Sequence, residues 1–217
     1  YLMDLKTHKS NLVKINVVTD LIAVKPRKQS VSAYIANGGI SPDGNRVILE
    51  ARGDVFSLPA EEGYIPNLTR TSGVAERFPA WSPDGKYIAY WSDKSGEYEL
   101  TIRDLTQGAA EIKLTSMGAG FRYNIFWSPD SKKMVWVDQT MTFNMYNMDT
   151  KEWNKIDQDG RLFEGGLRSW YPSWSADSKW LAYEKGQENG NPAIYIYNTQ
   201  TKINTKATSG FYADRNP

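Results

Sequence analysis

Apolar and polar residues alternate along short stretches of the chain, and turn-forming residues separate these stretches. Between Arg77 and Thr115 the pattern predicts four successive strands: Arg77–Trp81, Lys86–Ser92, Glu97–Leu105 and Glu111–Thr115. The second strand is rich in aromatic and β-branched residues, and the third places Tyr98, Leu100 and Ile102 on one face. Four short antiparallel strands within about 50 residues predict one blade of a β-propeller.

Turn sequences related to Ser-Pro-Asp-Gly recur four times and set the period of this pattern. Their serines are Ser41, Ser82, Ser128 and Ser175, at spacings of 41, 46 and 47 residues. Repeats of roughly 40–50 residues with several strands each are typical of propeller blades. We therefore expect an all-β fold: an incomplete β-propeller with about four blades of four antiparallel strands. The aromatic residues expected to fill the space between blades are Trp81, Trp127, Trp174, Tyr90, Trp136 and Tyr183.

The repeated residues have a structural explanation as turn formers. Proline pre-sets the second turn position, aspartate suits the third, and glycine accepts a left-handed conformation at the fourth. The residues assigned to turns on this ground are Pro42, Asp43, Gly44, Pro83, Asp84, Gly85, Pro129, Asp130 and Asp177. Ser131 and Ser178 replace the glycine. A left-handed serine costs on the order of 1 kcal/mol, so Ser131→Gly is expected to stabilise the protein.

The first residues follow a different pattern from the repeats. Met3–Lys6 and Leu12–Val18 are predicted to be the last two strands of a blade, and Lys25–Gln29 is charged and lacks alternation. The predicted organisation is the end of an upstream propeller at 1–24, a linker at 25–35 and a second propeller at 36–217, with repeats near 36–70, 71–116, 117–160 and 161–210. Both ends resemble the interior of a repeat, so we expect a piece of a longer protein. Expressed alone, such a piece would expose sheet faces and aggregate or melt broadly.

Composition excludes several function classes. The 26 basic and 25 acidic residues leave a net charge of +1, which gives no electrostatic basis for nucleic-acid binding. There is no cysteine, so disulfides and thiolate chemistry are excluded. No apolar run reaches the roughly 18 residues of a membrane span. No spacing of histidine and carboxylates indicates a metal site, and no cofactor is predicted.

Candidate catalytic and recognition motifs have simpler explanations. The single histidine, His8, lies in a predicted turn without the partners that a serine protease site requires. The turn aspartates recur four times, and an active site is not normally built four times. Arg52-Gly53-Asp54 resembles an adhesion motif but is predicted to be a hairpin turn. Asn67-Leu68-Thr69 matches the glycosylation acceptor sequence but is predicted to lie at the end of a strand. No catalytic residue is assigned.

The first strand of each blade leads towards the central channel of a propeller. Arg77, Tyr123, Trp170 and Arg215 stand four residues before the tryptophan position of their repeats. We expect them either to face the channel mouth and contact peptide, or to pack between blades or lie on the plain surface.

The stretch from Ala51 to Leu100 resembles the propeller region of the tricorn protease family. The resemblance rests on Ala51–Ala60, Asn67–Lys86 and Tyr90–Leu100, and it extends over essentially the whole chain. It implies a six-bladed propeller followed by a seven-bladed one, then a PDZ-like module and a serine protease core outside this chain. It also implies a homo-oligomeric, cytoplasmic parent enzyme whose propellers guide peptides.

The function expected from this resemblance is non-catalytic: scaffolding the assembly and guiding peptide substrates to a proteolytic core outside this chain. The partners are peptides or protein segments and the rest of the parent chain. One alternative is a TolB-like propeller that binds another protein, with a periplasmic or secreted location. A second is the propeller lid of a prolyl-oligopeptidase-like hydrolase, which a Gly-x-Ser-x-Gly elbow beyond Pro217 would indicate.

Overall fold

The computed structural model describes residues 1–16, 18, 30–160 and 170–217. The chain divides into two compact units, Tyr1–Ser30 and Val31–Pro217. In the first unit, β1 (Leu2–Met3) pairs with β2 (Ser10–Asn11) in an antiparallel sheet. These strands are shorter than the predicted Met3–Lys6 and Leu12–Val18, and the second lies earlier in the chain. Leu12 is exposed, and Val17 and the predicted linker residues 25–29 lie outside the described residues.

The second unit consists of four antiparallel sheets that follow one another along the chain, which confirms the all-β propeller. Blade 1 contains β3 (Ile35–Ile40), β4 (Arg46–Ala51) and β5 (Asp54–Pro59). Blade 2 contains β6 (Glu76–Trp81), β7 (Tyr87–Ser92), β8 (Glu99–Asp104) and β9 (Ala110–Lys113). Blade 3 contains β10 (Phe126–Trp127), β11 (Lys133–Val137), β12 (Thr142–Asn147) and β13 (Glu152–Gln158). Blade 4 contains β14 (Ser173–Trp174), β15 (Trp180–Gly186), β16 (Pro192–Asn198) and β17 (Ile203–Lys206).

Blade 1 lacks a regular fourth strand among the described residues. The segment after β5 forms one isolated β-bridge with that strand, between Phe56 and Asn67. Beside the bridge, the Leu68 N–H donates a hydrogen bond to the Val55 carbonyl. Before blade 1 stands one turn of 3-10 helix, Ser32–Tyr34. In the described part of the chain, no helix is long and apolar enough to cross a membrane.

Aromatic residues fill the space between adjacent blades. Tyr90, Trp136 and Tyr183 are almost completely buried, as predicted, and Trp127 is buried too. Trp91 also takes part, because its ring meets Trp136 edge-on with 5.2 Å between centroids. Tyr87 of blade 2 stacks on Trp127 of blade 3 at 6.3 Å. Each thin sheet therefore obtains its core from its neighbours.

The four repeated turns share one hydrogen-bond pattern. In each turn the serine hydroxyl donates to the aspartate carboxylate at 2.5–2.7 Å and accepts the backbone N–H five residues later at 2.9 Å. The fourth position is left-handed throughout, with φ between +58° and +73° at Gly44, Gly85, Ser131 and Ser178. The residues assigned to turns share this arrangement, and the serine is an additional member of each turn.

Ser131 and Ser178 also join neighbouring blades. The Ser131 hydroxyl accepts the Asp84 N–H of blade 2 at 3.0 Å, and the Ser178 hydroxyl accepts the Asp130 N–H at the same distance. Both serines are buried. The Ser131–Asp84 contact opposes the gain expected from Ser131→Gly, because glycine would relieve backbone strain but remove the hydroxyl that accepts the Asp84 N–H.

Candidate functional site

All four blades line one cleft of about 400 Å³. They do so through their first strands or through the residues just before those strands. The residues that line the cleft are Asn37–Ile40, Phe78–Trp81, Asn124–Phe126 and Tyr171. The first strand of each blade forms the edge of its sheet, and β3, β6 and β10 contribute edge residues to this wall, whereas blade 4 contributes only Tyr171, which precedes β14. Among the described residues that line the cleft, none is charged. The volume lies within the range of small ligand-binding pockets, which runs from about 300 to 1,000 Å³.

The side chains at the start of this wall occupy one repeating position. Asn37, Phe78, Asn124 and Tyr171 each stand four residues before the serine of their turn, and all four line the cleft. The predicted channel residues Arg77, Tyr123, Trp170 and Arg215 occupy the preceding position, and none of them belongs to this lining. The lining therefore begins one residue later in each repeat than the predicted channel position.

Arg77 lies against aromatic rings between blades. Its Cζ is 5.9 Å from the ring centroid of Tyr98 and 5.8 Å from that of Phe121. Burial raises the pKa of the Tyr98 hydroxyl, and the guanidinium of Arg77 opposes that rise. This arrangement is a cation–π contact in a half-buried setting.

The other predicted channel residues have different surroundings. Tyr123 packs against Phe78 and Phe121, and its carbonyl accepts the Trp91 indole N–H at 2.8 Å. Trp170 is buried and stacks on Phe143 at 4.9 Å between centroids. Arg215 is exposed. The structure thus gives Tyr123 and Trp170 packing contacts, and contact of any of the four with peptide stays a prediction.

A buried carboxylate shapes the wall of the cleft between blades 1 and 2. Glu50 accepts hydrogen bonds from the Asn37 side-chain amide at 2.5 Å and from the Phe78 N–H at 2.9 Å. Phe78 is left-handed, with φ of +53°, at an irregularity of β6 between Arg77 and Ala80. Such irregularities redirect side chains. Here a blade 1 carboxylate stabilises the unusual conformation of a cleft residue in blade 2, a long-range contact that local sequence patterns do not reveal.

Glycine brings the backbone of β3 close to its neighbour in the wall. A Cβ on Gly38 would lie 2.7 Å from Leu49 Cδ2 and 2.8 Å from the Ile48 carbonyl oxygen. A Cβ on Gly39 would meet only Ile48 Cγ1, at 3.9 Å. Gly38 therefore packs against β4, whereas Gly39 has room for a side chain.

The remaining candidate motifs have structural roles. His8 is an exposed, left-handed turn residue whose N–H donates to the Asp4 carbonyl. Arg52 and Gly53 both have positive φ, which fits a two-residue hairpin turn. The Asn67 side-chain oxygen accepts the N–H groups of Thr69 and Arg70. Over the described ranges, no group of three or more histidine, cysteine, aspartate or glutamate residues could hold a metal ion.

Residues 35–217 match the family described as the tricorn protease second β-propeller domain. The chain belongs to the tricorn protease family. A solved structure of tricorn protease shares the fold, with a TM-score of 0.70 and 16% identity over 95% of this chain and 20% of that one.

Two further relatives carry related propellers. Dipeptidyl-peptidase 5 of Porphyromonas gingivalis is 38% identical over 112 residues, which cover 42% of this chain and 16% of that protein. The Tol-Pal system protein TolB of Mannheimia succiniciproducens is 29% identical over 111 residues, which cover 50% of this chain and 23% of TolB. This chain therefore spans less than a quarter of the length of either relative.

Proposed function

We propose that this tricorn-family chain is a non-catalytic propeller region that guides peptide segments towards a proteolytic core elsewhere in the parent protein. The observation that carries the proposal is the cleft, where all four blades contribute strand edges, lead-in backbone and uncharged side chains to one wall. A wall without fixed charge holds no single acidic or basic side chain strongly. Such a surface suits the passage of varied peptides better than the selective binding of one.

The parent organisation belongs to the same proposal. We infer that residues 1–24 end an upstream propeller and that 36–217 begin the next. The start of the family match at residue 35 and the division into units after Ser30 support this assignment. A homo-oligomeric, cytoplasmic parent is inferred from the family alone.

Narrowing the cleft tests the guiding role. In the full-length protein, Gly39→Trp adds an indole at a position where the nearest atom to the Cβ is Ile48 Cγ1 at 3.9 Å. We expect kcat/KM for long peptides to fall about tenfold, equivalent to about 1.4 kcal/mol, because the indole obstructs the path. The rate for dipeptide and tripeptide substrates should stay unchanged.

The matched control adds the same side chain on the outermost strand of blade 2. Lys113 is exposed on β9, so Lys113→Trp should leave both long and short substrates unaffected. Equal turnover of long peptides by Gly39→Trp and the native protein would refute a guiding role for this cleft.

The TolB relatives favour a second candidate function, a propeller that binds a protein segment without hydrolysing it. Under this alternative the full-length protein cleaves no peptide, yet Gly39→Trp abolishes capture of a bound segment. The dipeptidyl-peptidase relative favours a third, a propeller that covers a hydrolase core of another type. The sequence of the parent's catalytic region distinguishes this arrangement from the tricorn one.

A further inference from the structure

The edge of β3 in the cleft differs from the edges of the other three first strands. β3 pairs with β4 in unbroken register from Asn37–Glu50 to Ile40–Val47, and in the described sheets it has no partner on its other side. The edge of β6 contains Pro79, which has no N–H, and a break in register. β10 and β14 are only two residues long. β3 is therefore the longest regular edge in the cleft wall.

The hydrogen-bond alternation of the sheet determines which peptide groups of β3 face away from β4. The Ser41 N–H donates to the Arg46 carbonyl at 2.8 Å, which marks a hydrogen-bonded pair at the end of the strand. In an antiparallel ladder the bonded pairs recur at every second residue, so Gly39 bonds to β4 and the peptide groups of Gly38 and Ile40 point to the opposite edge. Ile40 is 70% exposed.

Native edge strands usually carry a lysine, a proline or a bulge that prevents pairing with another chain. The segment Asn37–Ile40 carries none of these, although a break in register does occur earlier, between Ile35 and Asn37. Gly38 and Ile40 are both exposed, so this edge is accessible to a chain that enters the cleft.

We propose that β3 binds an extended, uncharged peptide segment by β-strand addition, through the backbone groups of Gly38 and Ile40. This inference rests on the proposed peptide-guiding function and specifies how the peptide is bound. Four strand residues span roughly 13 Å, so the paired segment is about four residues long. Backbone pairing gives affinity without regard to sequence, and the uncharged lining disfavours an acidic or basic side chain at the paired positions.

The protein-side test removes one backbone donor. In the full-length protein, Ile40→Pro deletes an N–H that faces away from β4, so the ladder of blade 1 stays intact. The probe is a fluorescein-labelled hexapeptide of alternating valine and threonine, amidated at its C-terminus, with binding followed by fluorescence anisotropy. We expect about tenfold weaker binding. Ile40→Val, which keeps the N–H, should bind more tightly than Ile40→Pro, and equal melting temperatures of the two variants verify the fold.

The ligand-side test uses the native protein and therefore does not depend on the folding of a variant. N-methylation at every second residue leaves one peptide edge intact, so this analogue should keep its affinity. N-methylation at every residue removes both edges and should weaken binding at least about tenfold. A hexapeptide with two central glutamates should also bind more weakly than the valine–threonine probe.

The outcomes separate the two proposals. If the hexapeptide binds, but Ile40→Pro and the fully N-methylated analogue bind equally well, strand addition is wrong and the guiding function stands. If no peptide binds the native protein and Gly39→Trp leaves long-peptide turnover unchanged, both fail.

Discussion

Ser131 shows how one hydroxyl opposes a prediction based on backbone preference. Ser131→Gly relieves a left-handed serine but leaves the Asp84 N–H without its 3.0 Å acceptor. Losing this part-buried hydrogen bond costs about 0.5–1.5 kcal/mol, which offsets the gain of up to about 1 kcal/mol from glycine. We expect no net stabilisation in chemical denaturation, and a loss of up to about 1 kcal/mol. Ser131→Ala keeps the strain as well and should lose more, and a stabilised glycine variant would contradict the inter-blade bond.

Gly38 and Gly39 form a matched pair at the cleft wall. Gly38→Ala brings a methyl group to within 2.7 Å of Leu49 Cδ2, so β3 must move. Overpacking of this kind costs typically about 1–3 kcal/mol. Gly39→Ala meets nothing closer than 3.9 Å and should be neutral or slightly stabilising. Thermal melts of the two variants check the difference, and equal melting temperatures would contradict the close approach.

At the scale of elements, the four turns predict an acid sensitivity. The serine hydroxyl bonds hold the pKa of Asp43 and Asp177 below its ordinary value. For Asp84 and Asp130 burial alone would raise the pKa, but the hydrogen bonds at the turn outweigh it and lower the pKa. A lowered folded-state pKa contributes stability above the unfolded value of about 3.9, and this contribution is lost as the pH falls through the folded value.

The measurement is the melting temperature from neutral pH to below the ordinary aspartate pKa. Replacing all four turn aspartates by asparagine should lower the melting temperature at neutral pH. The melting temperature should then fall less steeply in acid, since the asparagine side chains do not titrate. Asp149→Asn serves as the control for loss of an exposed carboxylate outside the repeated motif, where Asp149 pairs with Lys132. An unchanged profile in the fourfold variant would argue against the turn bonds as its source.

At the scale of the whole molecule, one face of blade 4 is apolar and open. Trp174, Trp180, Ala182 and Ile196 line a surface hollow of about 510 Å³, and Trp180 is 44% exposed. The equivalent Tyr87 of blade 2 is covered by Trp127 of blade 3. Open apolar patches of this kind promote association.

We therefore expect the 217-residue chain to self-associate, and Trp180→Thr to reduce this in sedimentation velocity experiments. Trp153 is equally exposed, at 43%, but lies in a polar hollow among Asn147, Lys151 and Glu152. Trp153→Thr should thus leave association unchanged. A native chain that sediments as a monomer at all concentrations would contradict the prediction.

Strand positions in the repeats were predictable because they depend on local patterns. Lys86–Ser92 was expected where Tyr87–Ser92 is found, and Glu97–Leu105 where the strand is Glu99–Asp104. The cleft was predictable in location but not in composition. The sequence pattern indicates Arg77 and its counterparts as channel residues, whereas Phe78 and its counterparts line the cleft. Alternation alone does not say which side of a first strand faces the cleft.

The sequence by itself determined the repeat, the strands and the turns, since backbone preferences and apolar alternation act over a few neighbouring residues. The tertiary structure alone decided that Ser131 bonds Asp84, 47 residues away in the chain, and that Glu50 holds Phe78 in its unusual conformation. It also decided that β3 has a free edge inside the cleft. These features depend on which groups of different blades meet in space, and a single blade's sequence does not contain that information.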